Sequence, residues 1–269
     1  MAVADYDEYV ALEGAPPLRI PFFKTPLTTL AGRLYDSWTT AALAGSAPTT
    51  AVACSQAVTG AIGFDQLANV SYSLRLFGGN LSSNSSGSFF LVDRLSHQGG
   101  LSGVTTGAQT TNLPTAALTR YTSGEDVQIA LTIYTQIGTT AVTVTASYTN
   151  SAGTSGRTTQ AVVIGGTAYR EAGRVILLPL QSGDTGARAV ASVTISATTG
   201  TAGAFGVTLV KVIAGYVLDR PGGQQRFNVL DGQGGLIRDI EAGPCLSWYY
   251  SSNTVSTTFS GNLHFSEAT

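Results

Sequence analysis

The stretch Val127-Gln128-Ile129-Ala130-Leu131-Thr132-Ile133-Tyr134, followed by Val142-Thr143-Val144-Thr145-Ala146-Ser147-Tyr148-Thr149, decides the fold class. Val127, Ile129, Leu131 and Ile133 recur every second residue, as do Val142, Val144, Ala146 and Tyr148. A period of two sets one kind of side chain on each face of a strand. The connection from Thr149 to Gly156 is rich in Asn, Ser, Thr and Gly, the composition of a turn. Val175 to Leu180 is apolar at both parities, as a strand covered on both faces would be. Ala191, Val193 and Ile195 resume the alternation, and after Thr199-Gly200-Thr201-Ala202-Gly203 so do Phe205, Val207, Leu209 and Ile213. Strands this closely spaced, joined by Gly-containing turns, predict an all-β chain. The expected form is an antiparallel β-sandwich or barrel, jelly-roll-like.

Outward from this centre the pattern changes. Residues 1–26 contain Pro16, Pro17, Pro21 and Pro26, which exclude a helix and predict an extended N-terminal arm. Leu18, Ile20, Phe22 and Phe23 lie on that arm and are the candidate assembly contacts, read as packing against a neighbouring subunit. Leu27, Leu30, Leu34 and Trp38 recur at three- and four-residue intervals before Gly45, which predicts one short helix over residues 27–44. A β-rich domain then spans residues 27–269, with its main sandwich at about 70–213 and C-terminal strands at 244–265. Gly78 to Ser88, Asp93 to Pro114 and Tyr216 to Ala242 read as loops, being polar and Gly-rich.

The chain has 269 residues, and only 11% are charged, against roughly 25% in an average soluble domain. Its surface polarity must come mainly from Ser, Thr, Asn, Gln and Gly, groups that are cheaper to desolvate than charges when another subunit covers them. A net charge of −2 gives no basic footprint for nucleic acid. No apolar run reaches the roughly 18 residues of a helical membrane span. The acidic start, Asp5-Tyr6-Asp7-Glu8, lacks the order of a signal peptide, so synthesis in a cytoplasm is expected. Cys54 and Cys245 read as buried thiols, with a disulfide between them left open.

Chemistry-bearing residues are few. His97 stands near Asp93, Ser96 and Ser102, but no Gly-x-Ser-x-Gly elbow accompanies them. His264 alternates with Leu263 and Phe265 on the polar side of the last strand. Two histidines and two scattered cysteines offer no metal-ligand spacing. The expectation is a protein without catalytic residues, cofactor or metal. Asp93-Arg94 reads instead as a structural ion pair or carbonyl clamp. Trp248-Tyr249-Tyr250 could stack on a sugar, or could pack in a core and interface.

Three passages together resemble structural proteins of tailed-bacteriophage virions. They are Asp93-Arg94-Leu95-Ser96-His97 with Gly99-Gly100-Leu101, then Leu118 to Val127, then Tyr148 to Thr158 with Leu178 to Arg188. Cys245-Leu246 and the closing Gly261-Asn262-Leu263-His264-Phe265 add to the likeness. The resemblance implies a virion subunit, made in a host cytoplasm. Among such subunits, a capsid decoration or cement protein is the leading reading. It would bind the major capsid protein and form a homo-oligomer, with a trimer favoured, without nucleic acid or membrane. A tail, neck or baseplate component is the first alternative, and a carbohydrate-binding or receptor-binding module the second.

Overall fold

The computed structural model describes residues 7, 18–40, 42–67, 70–114, 117–228, 239–253 and 256–268. In chain order the strands begin with β1 (Leu18–Thr28), β2 (Arg33–Asp36), β3 (Val52–Ala53), β4 (Leu74–Ser83), β5 (Gly87–Leu101) and β6 (Gln109–Leu113). The middle of the chain forms β7 (Val127–Thr135), β8 (Val142–Asn150), β9 (Arg157–Thr158), β10 (Val162–Ile164), β11 (Val175–Leu178) and β12 (Ala187–Ile195). The last are β13 (Ala204–Leu218), β14 (Gln224–Asn228), β15 (Asp239–Ile240), β16 (Leu246–Ser252) and β17 (Ser256–Glu267).

These strands form three antiparallel sheets. The central sheet has the order β11-β7-β13-β5-β16-β2, with β3 also paired to β5. Its two outer strands meet: Tyr35 bridges Arg174, and Asp36 N donates to Gly173 O at 2.9 Å. The sheet therefore curls until β2 touches the start of β11, and a small six-stranded barrel results. Period-two alternation decides what enters it. Leu34, Val92, Ala130, Val175, Val210, Val212 and Tyr249 form one cluster inside.

The other face of the central sheet carries the two larger cores. Near one end, Leu95, Ile129, Leu131, Ile133, Val207 and Leu209 pack against the β10-β8-β12-β6 sheet through Val144, Tyr148, Val190 and Val193. Near the other, Phe89, Leu91, Tyr216, Trp248 and Tyr250 pack against the β1-β17-β4-β14 sheet through Ile20, Leu76, Phe259, Leu263 and Phe265. The 15-residue strands β5 and β13 are long enough to serve both cores, and register shifts along their pairing keep both apolar sets on one side.

Several expectations are corrected. No helix covers 27–44: among the described residues there, β1 ends at Thr28, Gly32 turns at φ +71°, β2 follows, and a single 3-10 turn spans Ser37–Thr39. The intervals of Leu30, Leu34 and Trp38 imitate a helical stripe, but pairing with β16 takes Leu34 into the barrel and turns Tyr35 outward. Gly45 is close packing, since a Cβ there would lie 2.0 Å from the Trp38 ring. Gly78–Ser88 belongs largely to β4 and the start of β5, Asp93–Leu101 is the inner half of β5, and Tyr216–Leu218 ends β13.

The arm boundary at residue 26 falls within β1, which pairs with β17 from Leu18↔Phe265 to Thr28↔Ser256. Residues 1–6 and 8–17 of the arm lie outside the described residues. Ile20 is 0% exposed and Phe22 7%, both in the chain's own core, because alternate residues of β1 face the sandwich. Their reading as contacts to a neighbour is corrected on that ground. Leu18 is partly buried against the same core, and Phe23 is 52% exposed. Ile20→Ala and Phe22→Ala should each cost about 2–5 kcal/mol in urea denaturation. Phe23→Ser should stay within about 0.5 kcal/mol. Equal losses at all three would mean that Phe23 is also core.

Candidate functional site

Neighbouring residues on a strand point to opposite faces, so Asp93 and Arg94 cannot share a partner. Arg94 enters the barrel and is 0% exposed. Its guanidinium pairs with Asp36, reaches Thr208 Oγ1 at 3.4 Å and lies 4.4 Å over the Trp38 ring. The Asp36 carboxylate also accepts from Ser247 Oγ (2.9 Å), Thr132 Oγ1 (3.4 Å) and Trp38 N (2.9 Å). One polar layer thus joins β2, β16, β5, β13 and β7. Burial works against the Arg94 charge, but Asp36, with Tyr134, Tyr249 and Cys54 adding to it, outweighs burial and holds the guanidinium well above its usual range.

Asp93 turns the other way, to the junction of the two large cores. Arg120 grips it with two bonds, Nε to Oδ2 at 2.9 Å and Nη2 to Oδ1 at 2.8 Å. Arg120 also donates to the carbonyls of Cys54 and Arg94, at 2.9 Å each. The carbonyl clamp exists, and Arg120 supplies it. Burial raises the Asp93 pKa, with Arg120 and the Cys245 N–H opposing.

His97 is 1% exposed. Its Nδ1 lies 2.8 Å from Thr208 Oγ1, and its Nε2 lies 2.6 Å from Tyr134 Oη. Gly206 leaves the space, since a Cβ there would meet Tyr134 at 2.8 Å and His97 at 2.9 Å. Ser96 Oγ donates to Val52 O, and Ser102 Oγ accepts from Val104 N. The residues clustered in sequence are therefore not brought into a Ser-His-Asp relay. His264 is half-buried, its ring 6.2 Å from Phe77. Trp248, Tyr249 and Tyr250 are 0%, 2% and 0% exposed, so the sugar-stacking platform is corrected: all three are core.

Two apolar surfaces stand out among the described residues. Leu177 continues the inward-facing row of β11 past the barrel's apolar layer, and Val212 borders that layer. With Asp126, Gln128 and residues 179–185 they line an open cleft of about 560 Å³. Leu177 is 42% exposed there, and elsewhere on β5 and β13 Phe90 and Val217 are 38% and 64% exposed. The second surface is a recess of about 140 Å³ beside β1, where Phe23 meets Leu43, 47% exposed. Lys24 closes its floor, with Nζ donating to Leu43 O and Gly60 O at 3.3 Å each, and burial draws its pKa down to about 8. β1 is the outer strand of its sheet, and Pro21 removes one N–H from it. Strand addition at this edge is thereby disfavoured.

Asp36 and Arg120 escape the sequence reading. Their signal is the low charge itself, because in a chain this poor in charges each isolated Asp or Arg among apolar residues is a candidate for an internal pair.

No family model matches the chain, and no curated protein matches it. Among solved structures it is similar to the VP2 subviral particle of infectious bursal disease virus. Identity there is 10% over 93% of this chain and 80% of that one, with a TM-score of 0.20. T=1 particles derived from infectious bursal virus align at 10% identity over 97% and 83%, with a TM-score of 0.18. Scores this low carry no argument about fold or role.

His97 offers a pH test. Burial, and then the Arg94 charge, hold it well below its ordinary 6.5, so the folded protein keeps it neutral. Below pH 6.5 the unfolded chain binds the extra proton, and acid therefore favours unfolding. Relative to His97→Gln, the wild type should lose about 2 kcal/mol between pH 7 and pH 5. A difference between the two that is constant with pH would contradict the buried neutral imidazole.

Proposed function

We propose that this chain is a structural subunit of a virion, made in a host cytoplasm and assembled there. Within that reading it is a capsid decoration or cement protein of a tailed bacteriophage. It binds the head shell through the major capsid protein and associates with its own copies, a trimer being the favoured form. The observation that supports it is the exposure of large apolar side chains on the central sheet, Phe90, Leu177 and Val217, with Leu177 lining an open cleft. Exposed apolar patches on stable β proteins mark contact surfaces. The sparse charge of the chain suits such contacts, since little ionic desolvation opposes them. The buried His97, Asp93 and Arg94 fit a framework role.

The test is co-sedimentation of the purified chain with phage heads that lack it, together with sedimentation velocity of the chain alone. Binding and self-association should both weaken in Phe90→Ser and Val217→Lys, by about tenfold or more for the aromatic residue. Circular dichroism should show the strands unchanged. A chain that stays monomeric and leaves heads unbound would overturn the proposal. Density on the tail, neck or baseplate in electron micrographs of the whole particle would keep the virion role and replace the decoration role.

A further inference from the structure

β3 and β16 lie end to end along the same side of β5. Val52 and Ala53 pair with His97 and Ser96, and Leu246 pairs with Asp93. Between them, Cys54 N donates to Leu95 O at 3.0 Å and Arg94 N donates to Cys245 O at 3.0 Å. The two cysteines therefore occupy successive positions along β5, across a point where the chain itself is not continuous. Neighbours within one strand would point to opposite faces, but these two belong to separate segments and their thiols meet, as a disulfide requires. Both side chains pack in one small cluster with Trp38 and Ala61, and they are 2% and 0% exposed. Both are free thiols in this structure.

The two thiols differ in character. Contact with Cys245 draws the Cys54 pKa down; burial opposes this, and the Arg94 and Arg120 guanidiniums assist it. Burial, and then Cys54, push Cys245 well above the ordinary range. Cys54 is thus the nucleophile and Cys245 the resolving thiol.

We propose that Cys54 and Cys245 form a latent disulfide, closed by a peroxide-class oxidant after the chain leaves a reducing compartment. The Cys54 thiolate attacks a peroxide oxygen, the O–O bond breaks, and Cys54 sulfenic acid and one water result. The Cys245 sulfur then attacks the sulfenic sulfur. The S–S bond forms, the S–O bond breaks, and the hydroxyl leaves as a second water with the Cys245 proton. In sum, two thiols and one hydrogen peroxide give one disulfide and two waters. A small oxidant suits the site, because neither sulfur is open to a bulky disulfide donor. The bond would close a loop of about 190 residues, among the longest this chain allows, and would act mainly by restricting the unfolded state. The inference concerns the fold's own chemistry and stands whether or not the chain assembles.

The full chain would be treated with hydrogen peroxide at a level that fully oxidises free cysteine, then alkylated, digested without reductant and read by mass spectrometry. The expected result is a peptide pair linked through Cys54 and Cys245, lighter by two hydrogens than the reduced pair. Tm should rise by about 5–10 °C and return on reduction. Cys54→Ser should give no linked pair and leave Cys245 alkylatable on unfolding, while Cys245→Ser should leave Cys54 as sulfenic or higher acids. Should either variant fail to fold, the wild-type peptide map alone decides. Two intact thiols after peroxide, or disulfides only between chains, would overturn the proposal.

Discussion

Asp36 and Arg94 meet inside the barrel with neither side chain exposed to solvent. Burying two charges costs several kcal/mol each unless both are paired and their remaining polar atoms are met. Here the carboxylate collects Ser247, Thr132 and the Trp38 N–H, and the guanidinium gains Thr208 and the Trp38 face, with Arg94 Nε left without a hydrogen bond among the described residues. Each of these partners belongs to a different piece of chain. The pair therefore works only when β2, β16, β5, β13 and β7 are all in place. It also explains why the sheet closes: Asp36 can reach Arg94 only because β2 returns along β16 to meet the segment before β11.

The adjoining Asp93 extends the same constraint to the outer face. Through Arg120 it ties the Cys54 loop and the backbone of β5 together at the seam of the two large cores. Two successive residues of one strand thus fix the barrel's inside and its outside. In a chain with 11% charged residues, placing two such pairs indoors leaves still fewer charges for the surface. A surface rich in neutral polar groups, with exposed apolar side chains on the central sheet and beside β1, follows from that allocation. Its suitability for burial against other subunits is the physical link between fold and proposed role.

Much of this was legible, but unevenly. β8 and most of the last strand, β17, face one core, so burial follows their alternation. β7 alternates in sequence but is buried on both faces, because Ala130 and Thr132 line the barrel. Only the second half of β5 was hidden, because Asp93 to Gln98 is polar apart from Leu95, and a polar run reads as loop until distant partners supply its hydrogen bonds. Register shifts in the β5–β13 pairing break the period-two signal just where the strands pass from one core to the other. β2 was hidden by side chains whose spacing suits a helix, while its strand character comes from β16, some 215 residues away. Phe23 is exposed, as a side chain outside the core would be. Ile20 and Phe22 were not placed correctly, because the sequence does not show that β17 is their partner.

A double-mutant cycle on Asp36 and Arg94 tests the account most directly. Asp36→Leu, Arg94→Met and the double variant would be compared with the wild type by urea denaturation of the full chain. Each single change leaves one buried charge unpaired and should cost about 3–5 kcal/mol. The double variant, with an apolar layer in place of the pair, should cost clearly less than the sum, and no more than the worse single variant. A double variant whose loss equals the sum of the two singles would show that the residues act independently and that the pair does not hold the barrel together.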